Sequence, residues 1–301
     1  MNIAVTGGTG MVGSALTGYL TKNGHHVYIL TRNNKNKQNK ENITFIEWLQ
    51  DGSTPENHLP PLDAIVNLAG ASINSRWSKE QKNLILNSRV DATREVLRII
   101  HASETKSSIF INASAVGYYG TSKDITFTES SNPEGRNFLQ NVCEKWEHEA
   151  SKAVSLGVRT VYARFGLILD DKEGALPKMM LPYSFFAGGP AGSGEQWYSW
   201  VHLKDVVEML VFAIEKEIVN GPMNVTSPNP EKMKNFGKKL GGIISRPHWL
   251  PAPSFAIKTL LGDMSVLILE GQKVLPEKPL TWGYSFSYPR LEDALQDLLS
   301  S

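Results

Sequence analysis

Eight residues near the start of the chain, Thr6–Gly13, read Thr-Gly-Gly-Thr-Gly-Met-Val-Gly and decide most of what it can fold into. Asn2–Thr6 before them is a short apolar run that reads as a buried strand. Met11–Asn23 after them carries Met11, Ala15, Leu16, Tyr19 and Leu20 at helical spacing, and Gly24 stops it. The glycines at Gly7, Gly10 and Gly13 therefore fall in a strand-to-helix turn. With no Cβ in the way, the backbone N–H groups of such a turn can approach a pyrophosphate, and the helix N-terminus adds its positive end. A glycine triplet also serves plain packing. The strand before it and the amphipathic helix after it favour the dinucleotide.

The rest of the chain continues the alternation. His26–Leu30, Thr44–Glu47, Ala64–Leu68, Ser108–Ala113 and Arg159–Arg164 read as strands. Ser78–Ser103, with Leu84, Val90, Leu97 and Ile100 on its apolar face, and Phe138–Leu156 read as helices. Asn33–Asn42 is a low-complexity polar loop. The pattern predicts an α/β fold, a parallel sheet with helices on both faces. After Leu169 it loosens: Gly188–Gly194 can be neither helix nor regular strand, Val201–Ile214 resumes as a helix, and Pro222–Val225 is one more strand. From Glu231 the segments are short and proline-punctuated. We therefore expect a dinucleotide-binding body over residues 1–230 and a small, mostly helical subdomain over 231–301 packed on it.

Charge and cysteine content limit the partners. Thirty-one Lys and Arg balance thirty Asp and Glu in 301 residues, which argues against nucleic acid or a membrane surface as the main partner. The single cysteine, Cys143, excludes an intramolecular disulfide and a cysteine-cluster metal site, and suits a reducing compartment. The histidines show no metal-ligand spacing, so no metal is expected. The longest apolar run, Met209–Ile214, is far too short to span a bilayer, and the chain enters a strand pattern without an apolar leader. The expectation is a soluble cytoplasmic protein.

Charge also selects the dinucleotide. A site for NAD usually carries Asp or Glu at the end of the second strand, to accept from the ribose 2′-hydroxyl. Here Thr31-Arg32 stands there, and no acid occurs before Glu41. A 2′-phosphate would meet a cation. Charge-assisted hydrogen bonds contribute roughly 1.5–3 kcal/mol each, so NADP is expected to bind about ten- to a hundredfold more tightly than NAD.

Longer motifs then narrow the family. Asn67–Gly70 (N-L-A-G) after the fourth strand, with Ser114 and Tyr119-Gly120 after the fifth, resembles the extended short-chain dehydrogenase/reductase superfamily. Arg76–Lys82, Ser88–Val90, Ser114–Gly120, Phe138–Glu147, Gly188–Gly194 and Trp200–Val206 resemble its atypical branch, the epimerase family proteins of the NAD-dependent epimerase/dehydratase type. Gly271–Pro276 and Gly283–Leu295 resemble the C-terminal domain of unknown function that this branch carries. The resemblance implies a Rossmann-type, doubly wound sheet holding NADP. It implies Gly7, Gly10, Met11 and Val12 at the pyrophosphate, Thr31 and Arg32 at the 2′-phosphate, and Leu68 and Ala69 beside the adenosine ribose and pyrophosphate. It places Arg89 facing the cofactor where extended relatives carry an asparagine, and the Ile168 backbone at the nicotinamide end. An ordinary surface role remains the alternative for Arg89.

The same resemblance marks a gap. The superfamily exchanges protons through a Tyr-x-x-x-Lys pair on the helix after the fifth strand, the lysine lowering the phenol pKa. Counted back from Trp146-Glu147, those positions hold Leu139 and Cys143. The literal Tyr119-Gly-Thr-Ser-Lys123 lies in a loop, where the two side chains need not share a face. Ser114, Tyr118 and Tyr119 either line the nicotinamide pocket or serve the loop's own packing. Cys143 reads as a small core residue and His202 as structural, with Asp205 capping the helix that follows. Gln196, Trp197 and Trp200 could rim a substrate cleft. Two functions stay open: an NADP-dependent oxidoreductase or epimerase acting on a small or nucleotide-linked polar substrate, and a non-catalytic NADP-binding sensor or scaffold.

Overall fold

The computed structural model describes residues 1–35 and 37–300. Asn36, within the expected polar loop, and Ser301 lie outside the described residues. Seven strands form the central sheet: β1 (Asn2–Thr6), β2 (His26–Thr31), β3 (Ile43–Glu47), β4 (Ala64–Asn67), β5 (Ile109–Ala115), β6 (Arg159–Phe165) and β7 (Gly221–Val225). Every pairing is parallel and the order is β7-β6-β5-β4-β1-β2-β3. The chain reverses direction across the sheet between β1 and β4. In open α/β sheets the crevice at such a switch point, beyond the carboxyl ends of the strands, is where ligands bind.

Near-continuous apolar strands require cover on both faces, and the helices supply it. Helix α1 (Met11–Lys22) and helix α5 (Leu203–Glu215) close one face over Ile3, Val5, Val66, Ile111 and Val161. Helices α2 (Lys79–Ala102) and α3 (Phe138–Ser155) close the other over Ala4, Ile65 and Phe110. The buried stripe of α2 is Ile85, Ala92, Val96, Ile99 and Ile100, whereas Leu84 is exposed, contrary to the expected face. Ser78 caps α2 by accepting from the Gln81 N–H, which fixes the start of the helix and with it the facing stripe.

Two further expectations change. Helix α4 (Leu176–Ser184) arises in the stretch where the pattern loosened. Pro177 falls in its first turn, where a missing N–H costs nothing, whereas Pro182 lies inside the helix and forgoes one i→i−4 hydrogen bond two residues before its end, so the prolines mask the helix in the sequence. Helix α5 starts at Leu203, because Trp200–His202 pairs in parallel with Leu167–Leu169. The cap of α5 is His202, whose Nδ1 accepts from the Lys204 N–H at 3.0 Å. Asp205 is a latch instead. It is fully buried and accepts from the Tyr284 hydroxyl (3.1 Å) and from the backbone N–H groups of Ser287 (2.8 Å) and Tyr288 (2.9 Å).

Through that latch the late segments lie on the body. Helix α6 (Met233–Ile243) packs Phe236 and Leu240 against Leu291, Leu295 and Leu298 of the last helix, Leu291–Leu299. Met264, Val266 and Leu267 cover Trp77, Ile85 and Val142. Lys273–Val274 pairs in parallel with Thr126–Phe127. Helix α7 (Ser254–Leu261) comes between α6 and Met264 in the chain. Among the described residues no helix is long and apolar enough to cross a membrane.

Truncation after Ser245 would strip Leu291, Ala294, Leu295 and Leu298, four of the ten buried side chains of this cluster, and unpair Asp205. The expected outcome is an aggregating or markedly less stable fragment in thermal melts, and a soluble fragment with full-length stability would refute this packing. A second expectation concerns pH. Burial lowers the His202 pKa despite the Asp297 carboxylate 3.4 Å from its Nε2. The unfolded ring therefore binds a proton at higher pH than the folded one, so this contribution to stability is present at neutral pH and is lost as pH falls below about 6.5. His202→Asn keeps a capping acceptor without that titration, and its unfolding free energy in urea should fall less between neutral pH and pH ~5 than the wild type's.

Candidate dinucleotide site

Thr6 ends β1 with its hydroxyl turned inward. Its Oγ1 donates to Asn67 Oδ1 (2.6 Å) at the end of β4 and accepts from the N–H groups of Leu68 (3.0 Å) and Ala69 (3.1 Å). The glycine turn is thereby held against the N-L-A-G segment. Gly7 takes φ +64°, and a Cβ there would stand 2.7 Å from the Leu68 carbonyl oxygen. A Cβ on Gly13 would stand 2.2 Å from the Gly7 oxygen. Both glycines are required by the protein's own backbone. Gly10 is not: a Cβ there meets nothing nearer than the Gly7 oxygen at 3.5 Å.

Gly10 is also the N-cap of α1, with no side chain bonded to the helix terminus and no acid in the first turn. The first N–H groups of α1, from Met11 and Val12, thus belong to a helix end that no side chain among the described residues caps, which is the requirement for a phosphate. Thr31 and Arg32 lie at the carboxyl end of β2, and Arg32 is exposed with no ion-pair partner among the described residues. Ile168 enters from the other side. Its carbonyl lies 3.8 Å from the Cβ direction of Gly174, which also meets the Met11 sulfur at 3.4 Å.

Arg89 points from α2 toward the N-L-A-G turn. Its Nη1 donates to the Ala71 (3.1 Å) and Ile85 (2.9 Å) carbonyls, and its guanidinium stacks on Trp146 at 5.1 Å. A Cβ on Gly70 would stand 3.0 Å from the Arg89 Cζ, so the glycine makes room for this cation. Burial lowers its pKa, and no carboxylate among the described residues pairs with it. The structure thus gathers Gly7, Gly10, Met11, Val12, Leu68, Ala69, Arg89 and Ile168 around the switch point, with Thr31 and Arg32 one strand away.

The Ser-Tyr-Tyr loop is arranged differently from a pocket lining. Ser114 is buried and donates to Glu147 Oε1 (2.7 Å). Glu147 accepts twice from Arg164, at 2.8 Å each. Arg164 donates to the Tyr119 hydroxyl (2.8 Å), which donates to Asn224 Oδ1 (2.7 Å). Tyr119 is fully buried, and burial pushes its pKa up to about 12. It belongs to the scaffold. Burial pulls the Arg164 guanidinium down, but the hydrogen bonds it donates to Glu147 outweigh that and the net shift is upward. Tyr118 is half-buried and lies with its ring 3.5 Å from the Arg164 guanidinium.

The Glu147–Arg164 pair went unnoticed in the sequence. The available signal was a glutamate within the apolar stripe of α3 and an arginine inside an otherwise apolar strand. Leu139 packs in the Trp77 cluster, and burial raises Cys143 to about 12. No group of three or more His, Cys, Asp or Glu that could hold a metal occurs among the described residues. An open hollow of about 550 Å³, lined by Trp77, Lys82, Phe138 and Asp263 among others, shares no residue with the glycine turn.

Two outcomes follow from these environments. An aromatic disulfide reagent should label Cys143 in the native protein no faster than the chain unfolds, and rapid stoichiometric labelling would contradict its burial. Glu147→Ala leaves Arg164 buried and unpaired, so urea titration should show a loss of about 3–5 kcal/mol.

Comparison with known proteins fits this geometry. The family model for the NAD dependent epimerase/dehydratase family matches residues 3–226, and a domain of unknown function (DUF1731) matches residues 252–298. The chain is 51% identical to the epimerase family protein YfhF of Bacillus subtilis (strain 168) over 300 residues, covering 100% of this chain and 98% of that one. Its structure is similar to the crystal structure of human epimerase family protein SDR39U1 (isoform2) with NADPH, with TM-score 0.87, 30% identity and coverage of 100% and 99%. It shares the fold, at 17% identity and TM-score 0.79, with UDP-glucuronic acid 4-epimerase from Bacillus cereus in complex with UDP-glucuronic acid and NAD, covering 99% and 98% of the two chains. An uncapped helix behind a glycine turn, a seven-stranded doubly wound sheet and a match over three-quarters of the sequence lead to one conclusion: this chain belongs to the NAD-dependent epimerase/dehydratase family.

Proposed function

We propose that the protein binds NADP(H) at the switch point and uses it in an oxidoreductase or epimerase step on a small or nucleotide-linked polar substrate. The observation that carries this reading is the open space in front of Gly10 at the uncapped start of α1, a cradle that a Cβ would fill. The pyrophosphate lies along Gly7, Gly10, Met11 and Val12. Thr31 and Arg32 hold the adenosine 2′-phosphate, where an exposed cation without a carboxylate partner is available. Leu68 and Ala69 flank the adenosine ribose and pyrophosphate. Arg89 faces the cofactor with a charge that no carboxylate among the described residues pairs, and the Ile168 backbone meets the nicotinamide end. Residues 1–230 form the cofactor body, and residues 231–301 close over it.

Bound there, the nicotinamide would supply hydride transfer to or from a carbon bearing oxygen. The chain must supply the proton that accompanies it. Leu139 cannot, and Cys143 and Tyr119 are buried with their protons firmly held. Ser114 is engaged with Glu147. Tyr118, on Arg164, is the polar side chain of this loop left for the task. The same four observations favour a second reading, in which NADP stabilises a sensor or scaffold without turnover.

Calorimetry tests the cofactor. Wild type should prefer NADPH to NADH by about ten- to a hundredfold, and Arg32→Asp should erase that preference. Gly10→Val should melt near the wild-type temperature and bind neither, while unchanged NADPH affinity in a folded Gly10→Val protein would sink the assignment. Turnover is tested by a screen of carbonyl and sugar-nucleotide substrates with NADP and NADPH. Activity reduced by about 10²–10⁴ in Tyr118→Phe supports the enzyme, and tight NADPH binding with no turnover on any substrate supports the scaffold.

A further inference from the structure

The net charge of the chain hides a segregation that the fold brings to one surface. Residues 174–194 and 232–262 together contain seven Lys and Arg and no Asp or Glu. Lys232, Lys234 and Lys239 are paired with Glu195, Glu231 and Glu292. Lys178, Lys238, Arg246 and Lys258 have no carboxylate partner among the described residues.

The same two stretches hold half of the large hydrophobic side chains exposed among the described residues: Leu181, Phe185, Phe186, Trp249, Leu250, Phe255 and Leu260. All but Leu250 are more than half exposed, so they protrude and do not line a groove. Lys178 and Leu181, three residues apart, share one face of α4, and Phe185 follows at its C-cap. The stretches are joined by backbone. Trp249 and Leu250 donate to the Gly188 oxygen (2.9 and 3.0 Å), Ala252 to Pro190, and Gly192 to Ala252. Phe186 adopts φ 58°, a rare state for a bulky residue. It is held there by the Trp249 indole N–H on its carbonyl (2.9 Å), with the Arg246 guanidinium 4.5 Å over its ring. Helix α7, Ser-Phe-Ala-Ile-Lys-Thr-Leu-Leu, buries none of its side chains. A helix of eight residues draws little stability from its own hydrogen bonds and needs an apolar phase against it.

We propose that this surface docks the protein onto an anionic lipid bilayer. Protruding Phe, Trp and Leu side chains enter the headgroup boundary, and the long unpaired cations around them reach the lipid phosphates. A second copy of the chain fits less well, because a two-fold contact would set these cations against their own counterparts. The near-neutral balance of the whole sequence argued against a membrane surface as the main partner. That average does not describe this face.

The test is co-sedimentation of the full-length protein with vesicles at about 0.1 M salt. The probes are phosphatidylcholine alone and phosphatidylcholine with roughly a third phosphatidylglycerol. Wild type should sediment with the anionic vesicles only and be released by about 0.5 M salt. Leu181→Ser with Phe185→Ser, Phe255→Ser with Leu260→Ser, and Lys178→Glu with Lys258→Glu should each weaken binding about tenfold or more, with melting temperature and NADPH affinity unchanged. Failure of wild type to sediment overturns the proposal. So does binding that survives both serine pairs, which would make the surface ionic alone and fit an acidic protein. Self-association in buffer, abolished by the same serine pairs, would overturn it in favour of a dimer contact.

Discussion

The hydrogen bond from Thr6 to Asn67, 2.6 Å long and shut away from water, organises everything at the carboxyl edge of the sheet. Asn67 passes the constraint on, donating to Asn112 (2.7 Å) and Thr93 (3.1 Å), and the Trp146 indole closes the set on Thr93 (3.0 Å). Strands β1, β4 and β5 are in register at these residues, so the network joins the ends of β1 and β4 and the middle of β5 to α2 and α3. Buried polar groups cost little only when all are paired, and a network this connected admits one arrangement. The glycine turn, the N-L-A-G segment and Arg89 are all placed by it.

A second constraint is the buried charge beyond β5. Glu147 and Arg164 recover by mutual hydrogen bonds what burial takes away, and they hold Ser114 and Tyr119 as dependants. The loop therefore presents Tyr118 on a rigid floor. Asp205 does comparable work for the end of the chain, tying residues 284–288 to the first turn of α5.

The central sheet and the glycine turn were legible because their signals are local. Alternating apolar segments give strands and helices, and glycines need only neighbours to be interpreted. Helix α4 was hidden by its prolines, Pro177 in the tolerated first turn and Pro182 inside the helix near its end. Asp205 looked like a cap because sequence shows only the helix it precedes, whereas its partners lie some eighty residues away. The Glu147–Arg164 pair was illegible for the same reason. Each residue alone contradicts its apolar surroundings, and only the fold brings the contradictions together.

The three glycines of the turn answer to different demands. Gly7 and Gly13 are pinned by backbone oxygens of the protein itself, whereas nothing in the protein opposes a side chain at Gly10. A lineage that gave up its dinucleotide while keeping the fold would go on purging substitutions at the first and third glycines. The middle one would be released to drift, so the residue found there records whether ancestors of the chain were still carrying a cofactor.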